Sequence, residues 1–441
     1  MPSMYSRRFK TGYFVLEGLH SAATVYYLYY LYFYMEKVFG FGNKANLCLA
    51  ALNGGTYALL AWGAGRFAQR FGYFNALKIG FGVMAGALGV GSQLQSASGQ
   101  IIVVVAVVIG MSFTWPTLGA LVSEGESRAG LQQMVGIYNA VWAGTGAVAY
   151  FTGGAMLDRL GLQALFYVPM ALLITELALT FWLADRVRRT RDRRGDLGSS
   201  QSTRDGIGIL IVDAPPAEVH PHSPARARSF LRMAWLANPF AYIGMNTLVA
   251  LMPGIALRLE LSTTLAGFSG SIWCFARFGT FVGLWLWPGW HYRFRWLLLG
   301  YLALVSGFIL ILLAPNLPVL LAAQMLFGGA IGLTYYSSLF YSMDSHTSIL
   351  ARIESHSAPQ RALRVCSPVV SSMYSTGTFL AFRAWTIIRL FSTETQVSRT
   401  LWVMNIGGVL SVTCFSAENR STSSGLGLRP IRFSFVPFSP P

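Results

Sequence analysis

The sequence predicts an all-α polytopic membrane protein, and three observations carry that reading. Of 441 residues, 54% are hydrophobic and 11% charged, where a soluble globular chain carries about 25% charged residues. The apolar residues gather in blocks of about 20, the length a helix needs to cross some 30 Å of hydrocarbon. The arginines cluster between those blocks rather than within them. A net charge of +16 would point to nucleic acid on a soluble chain. Here it reads as loop anchoring at a membrane surface, with no nucleic-acid partner.

Each element follows from its own stretch. Residues 14–35 form the first span, after a basic start (Arg7, Arg8, Lys10) too short to be a cleavable signal. Further spans are expected at 47–64, 79–90, 101–122, 134–156 and 164–183. Residues 1–184 thus make an N-terminal six-helix half. Residues 185–231 change character: an arginine run gives way to Gly, Ser and Pro, which predicts a solvated cytoplasmic linker. Spans resume at 233–257, 265–287, 296–313 and 319–341, punctuated by Pro288, Pro315 and Pro318. The C-terminal helical half is drawn over 232–415, but its last two spans are left open. Residues 367–391 carry Arg383 and Arg389, and 400–415 is short for a crossing. Residues 416–441 are a polar tail.

Lysine and arginine in the short loops set orientation. The N-terminus, the loop with Arg66, Arg70 and Lys78, the linker, and Arg293 with Arg295 fall on one side if the spans alternate. The other side holds Lys37, Lys44, Arg159 and Arg258. The N-terminus is therefore expected in the cytoplasm, in a plasma or inner membrane. Cys48, Cys274, Cys366 and Cys414 are isolated, with neither metal spacing nor a disulfide framework.

After the second span stands Gly65-Arg-Phe-Ala-Gln69-Arg70-Phe-Gly72. It resembles the loop signature of the major facilitator superfamily, with Gly65, Arg70 and Gly72 at the family's offsets and Gln69 where the family has Asp. Gly72 suits a tight turn with positive φ, and Arg70 suits bonds to helix-end carbonyls or a carboxylate. Gly153-Gly-Ala-Met-Leu-Asp158-Arg159-Leu-Gly161 resembles the end of that family's fifth span and the outer loop after it. The likeness covers 13–341. It implies two six-helix halves related by a pseudo-two-fold axis along the membrane normal, with spans 1, 4, 7 and 10 lining a midplane site.

Polar groups inside spans are costly in hydrocarbon, so they are the candidate path for solute and coupling ion. Glu17, His20 and Thr24 recur at helical spacing in span one, with Tyr27 extending the stripe. His20 titrates near neutrality and is a candidate proton carrier. Arg277 lies near the middle of span eight, too deep to snorkel, and calls for an anionic solute group or a carboxylate partner. Glu176, in a span that the resemblance places at the periphery, reads as structural. Asn53, Asn139 and Asn246 are uncharged polar groups within spans that can read a solute or bridge helices.

The sequence contains no phosphate-cradling Gly-Lys-Ser/Thr loop and no paired metal ligands. The expectation is a transporter without cofactor or metal, moving a small solute by alternating access, facilitative or as a proton symporter. It is not an enzyme, and it works as a monomer in contact with membrane lipid. Two alternatives stand beside it: a non-transporting receptor or scaffold on the same fold, and a membrane-embedded enzyme.

Overall fold

The computed structural model describes residues 7–123, 128–201, 224–354, 402–407 and 409–414. Its first six helices are α1 (Arg7–Phe39), α2 (Asn43–Phe71), α3 (Tyr73–Gly91), α4 (Ala97–Ser123), α5 (Arg128–Leu160) and α6 (Ala164–Gln201). Five more follow: α7 (Pro224–Arg258), α8 (Thr263–Gly270), α9 (Ile272–Leu286), α10 (Phe294–Leu313) and α11 (Leu317–Glu354). These helices belong to one compact unit, Met1–Trp385. The expected eighth span is divided, because α8 and α9 meet at Ser271, whose backbone stays in the right-handed helical region.

Among the described residues, seven helices are long and apolar enough to cross a membrane: α2, α3, α4, α6, α7, α10 and α11. The expected first, fifth and eighth spans are not among them. For α1 the reason is its tyrosine content. Every residue from Val25 to Met35 is buried against other helices, so this helix spends its side chains on protein contacts rather than on lipid. It packs on α4, α5 and α6, while α3 lies against α4 and α6 and α2 lies against α4. On the other side α11 contacts α7, α9 and α10. The two groups meet where α5 lies on α8 and α9, and where α1 and α2 lie on α7.

Glycine sets the closest approaches. A Cβ on Gly80 would come within 2.8 Å of the Gly110 carbonyl oxygen, which lets α3 and α4 touch backbone to backbone. Gly82 and Gly86 in the same helix have open space around them, so α3 does not use them for a close approach.

Two sequence readings change. The linker was placed at 185–231, yet α6 runs on to Gln201 and α7 begins at Pro224. Arginine is a good helix former, and an i,i+4 ion pair between Arg189 and Asp185 (2.8 Å) supports the extension. Residues 400–415, left open as a last span because they are short for a crossing, hold an antiparallel hairpin, β1 (Trp402–Gly407) paired with β2 (Val409–Cys414). Val403, Ile406, Val409, Val412 and Thr413 are β-branched, a composition that favours strands. The hairpin lies in a second unit, Thr386–Pro441. The linker centre, the 367–391 stretch and the 416–441 tail lie outside the described residues.

Candidate functional site

A cavity of about 130 Å³ lies among α1, α2, α4, α5, α7, α9 and α11. That is close to a space known to hold a benzene ring in a protein interior. The resemblance implied that spans 1, 4, 7 and 10 would line the site. The matching helices α1, α4, α7 and α11 do so, and α2, α5 and α9 complete the wall.

On α1 the lining residues are Glu17, Ser21, Thr24, Val25, Leu28 and Tyr29, one face of a helix with 3.6 residues per turn. His20 lies beyond the edge of that face, and the structure turns it away from the cavity. Its Nδ1 is 3.2 Å from Glu176 Oε2, and its Nε2 is 2.8 Å from Thr114 Oγ1. The edges of Phe81 and Trp115 close over the ring. His20 and Glu176 are both fully buried, so this is an internal tie between α1, α4 and α6. Tyr27 likewise leaves the stripe and packs on Phe166.

Arg277 reaches the cavity from α9 and is 1% exposed. Its guanidinium lies 4.3 Å from the ring centre of Trp142 and 4.9 Å from that of Trp273, so two indoles hold the charge by cation–π attraction. Nη1 approaches Met245 Sδ at 3.6 Å, while Nε and Nη2 have no hydrogen-bond partner among the described residues. Asn139 does not line the cavity. Its Oδ1 accepts from Trp142 Nε1 at 2.9 Å, fixing the indole that carries Arg277.

The remaining expected polar groups divide in a similar way. Asn53 and Asn246 line the wall, and Asn246 Nδ2 donates back to Tyr242 O at 2.9 Å. Thr24 lines it too, with its hydroxyl bonded to His20 O at 2.7 Å. Asn238 was missed by the sequence reading. With Tyr242, Met245 and Asn246 it forms a helical stripe on α7, and that spacing was the available signal. Glu17 and Arg277 are the charged residues of the described lining.

The loop motif sits at the α2–α3 junction. Gly72 has φ +96°, the positive value expected of it, and its N–H caps α2 on Ala68 O at 2.9 Å. Gly65 is buried within α2, Gln69 and Arg70 are exposed, and the Arg70 guanidinium lies over the Phe71 ring.

Asp158 does more than punctuate an outer loop, and Arg159 beside it is exposed. Asp158 Oδ2 accepts from Thr264 N (2.9 Å) and Thr264 Oγ1 (2.6 Å), in the first turn of α8. A carboxylate there compensates unpaired backbone N–H groups and the helix dipole. Lys37 Nζ donates to Thr263 Oγ1 at 2.6 Å, bringing α1 into the same contact. Partial burial disfavours the Asp158 charge, but the bonds from Thr264 and Thr263 and the Lys37 charge outweigh it. They hold the pKa below the usual carboxylate value. Gly154, one turn back, lies so close to the Thr263 carbonyl that no Cβ fits.

Comparison with known proteins accords with this geometry. No curated protein matches the chain. Among solved structures, a mutant of the nucleoside transporter NupG is similar, with a TM-score of 0.56 at 10% identity. That match covers 87% of this chain and 92% of the other. A profile described as Major Facilitator Superfamily matches residues 101–381, more than half of the sequence and past the 341 limit of the likeness drawn above. The chain belongs to the major facilitator superfamily and is a multi-pass membrane transporter rather than an enzyme.

Proposed function

We propose that the protein moves a small solute bearing an anionic group through this cavity by alternating access. The motion is a rocking of two six-helix halves, of which α1–α6 form the first and α7–α11 belong to the second. One observation carries the substrate reading: Arg277 is a buried cation at the cavity wall with no carboxylate partner among the described residues, its neighbours being two indoles, Met245 and the Tyr29 hydroxyl. A buried charge without a counter-charge is expensive, and a carboxylate taken from solution supplies both charge and acceptors. A nucleoside, the solute in the name of the similar structure, carries no such group and would leave that charge unmet.

The basic loops favour a cytoplasmic N-terminus in a plasma or inner membrane, and the working unit is a monomer. If transport is coupled to protons, Glu17 in the cavity is the group that exchanges them, because His20 is tied to Glu176. Uptake of labelled organic anions and of uridine into proteoliposomes, with and without a pH gradient, tests the reading. Accumulation of an anion that stops in Arg277→Ala is the expected result. Uptake of uridine with indifference to Arg277 would replace it.

A further inference from the structure

Resting on the carboxylate reading of Arg277, we infer that the cavity is built for a zwitterion. Its carboxylate binds Arg277, its ammonium binds Glu17, and its body packs on the aromatic wall.

The two unpartnered nitrogens of Arg277, Nε and Nη2, are neighbours on one side of the guanidinium. They form the side-on fork that meets both oxygens of a carboxylate. Trp142, Trp273 and the Tyr29 hydroxyl, which hydrogen-bonds the guanidinium, are its neighbours, and none of them carries the negative charge that a solute carboxylate would bring. Glu17 is the complementary half. It is 1% exposed, Tyr138 hydrogen-bonds its carboxyl, and Oε2 has no partner among the described residues. Glu17 and Arg277 line one cavity, yet these atoms do not pair with each other.

A simple carboxylate would satisfy Arg277 and leave Glu17 Oε2 without a donor; a simple amine would do the reverse. An ammonium brings three donors, so one zwitterion meets both groups at once and ties α1 to α9. Tyr57, Trp115 and Tyr335 also line the cavity and offer flat walls to a ring in the body of the solute.

Three near-isosteric probes test the inference by titration calorimetry on the detergent-purified full chain: 4-(aminomethyl)benzoate, 4-methylbenzoate and 4-methylbenzylamine. The first should bind about tenfold or more tightly than either of the others, the gain expected of one charged hydrogen bond. Glu17→Gln should bring the ratio between the first two probes to about one, and Glu17→Asp, which keeps the charge, should restore part of it. Arg277→Gln should lose both carboxylates. Equal binding of 4-methylbenzoate by the wild-type chain, or a ratio unmoved by Glu17→Gln, overturns the zwitterion. In that case an affinity that still depends on Arg277 leaves the anion reading standing. If neither carboxylate binds, both readings fall together.

Discussion

At the scale of the residue, Arg277 depends on its neighbours for its position. Asn139 fixes the Trp142 indole, and that indole lies against the guanidinium. Asn139→Leu should therefore raise KM several-fold while leaving kcat nearly unchanged, as kinetics in proteoliposomes would show. Arg277→Lys keeps the charge but not the planar fork, and should weaken solute affinity roughly tenfold. The His20–Glu176 pair predicts a different behaviour. Removing one partner of a buried hydrogen bond leaves the other unsatisfied and costs about 1–3 kcal/mol, so His20→Ala should lower the melting temperature. The double replacement His20→Leu with Glu176→Leu should recover most of that loss. A single variant as stable as the parent would show that the tie contributes nothing. Glu17 and Arg277 were legible in the sequence because a charge inside an apolar run needs a reason to be there. The turn of His20 toward Glu176 was not, because its angular offset matters only once the positions of α4 and α6 are known.

At the scale of the element, the end of α5 is where the two groups of helices hold together. Asp158 caps α8, and Gly154 brings the two backbones into contact. A side chain at position 154 must push the helices apart, so Gly154→Val should cost about 1–3 kcal/mol as overpacking does. The same variant should open that end of the bundle to water-soluble labels. The Asp158 contribution has a defined pH sense. Its folded pKa is depressed, so the stabilisation is fully present above the ordinary carboxylate value near 3.9. It is lost as pH falls through the lower folded value. Thermal melts of the parent and of Asp158→Asn should differ at neutral pH and converge in strong acid. A constant difference across that range would assign the contact to packing alone. Sequence marked Asp158 and Gly72 through their place in a motif. It could not show that Asp158 reaches α8, because that partner is more than a hundred residues away along the chain.

At the scale of the whole molecule, the blocks of apolar residues were enough to give the membrane class and the order of the helices, since crossing hydrocarbon imposes length and composition on each span. They did not mark α1 as the most enclosed helix, because tyrosines that face other helices lower its apparent hydropathy. Nor did they mark the hairpin at 402–414, where a short β-branched run reads equally well as a marginal span. The central claim is that one cavity serves both sides of the membrane in turn. Ala241, buried on α7 at the cavity wall, is the place to test it. In a chain without its four native cysteines, Ala241→Cys should react with a membrane-impermeant thiol reagent from either face of the bilayer. Solute should slow the reaction, and Asp158→Asn should speed it from the face opposite the N-terminus. Reaction from one face only, in a protein that still transports, would contradict the account.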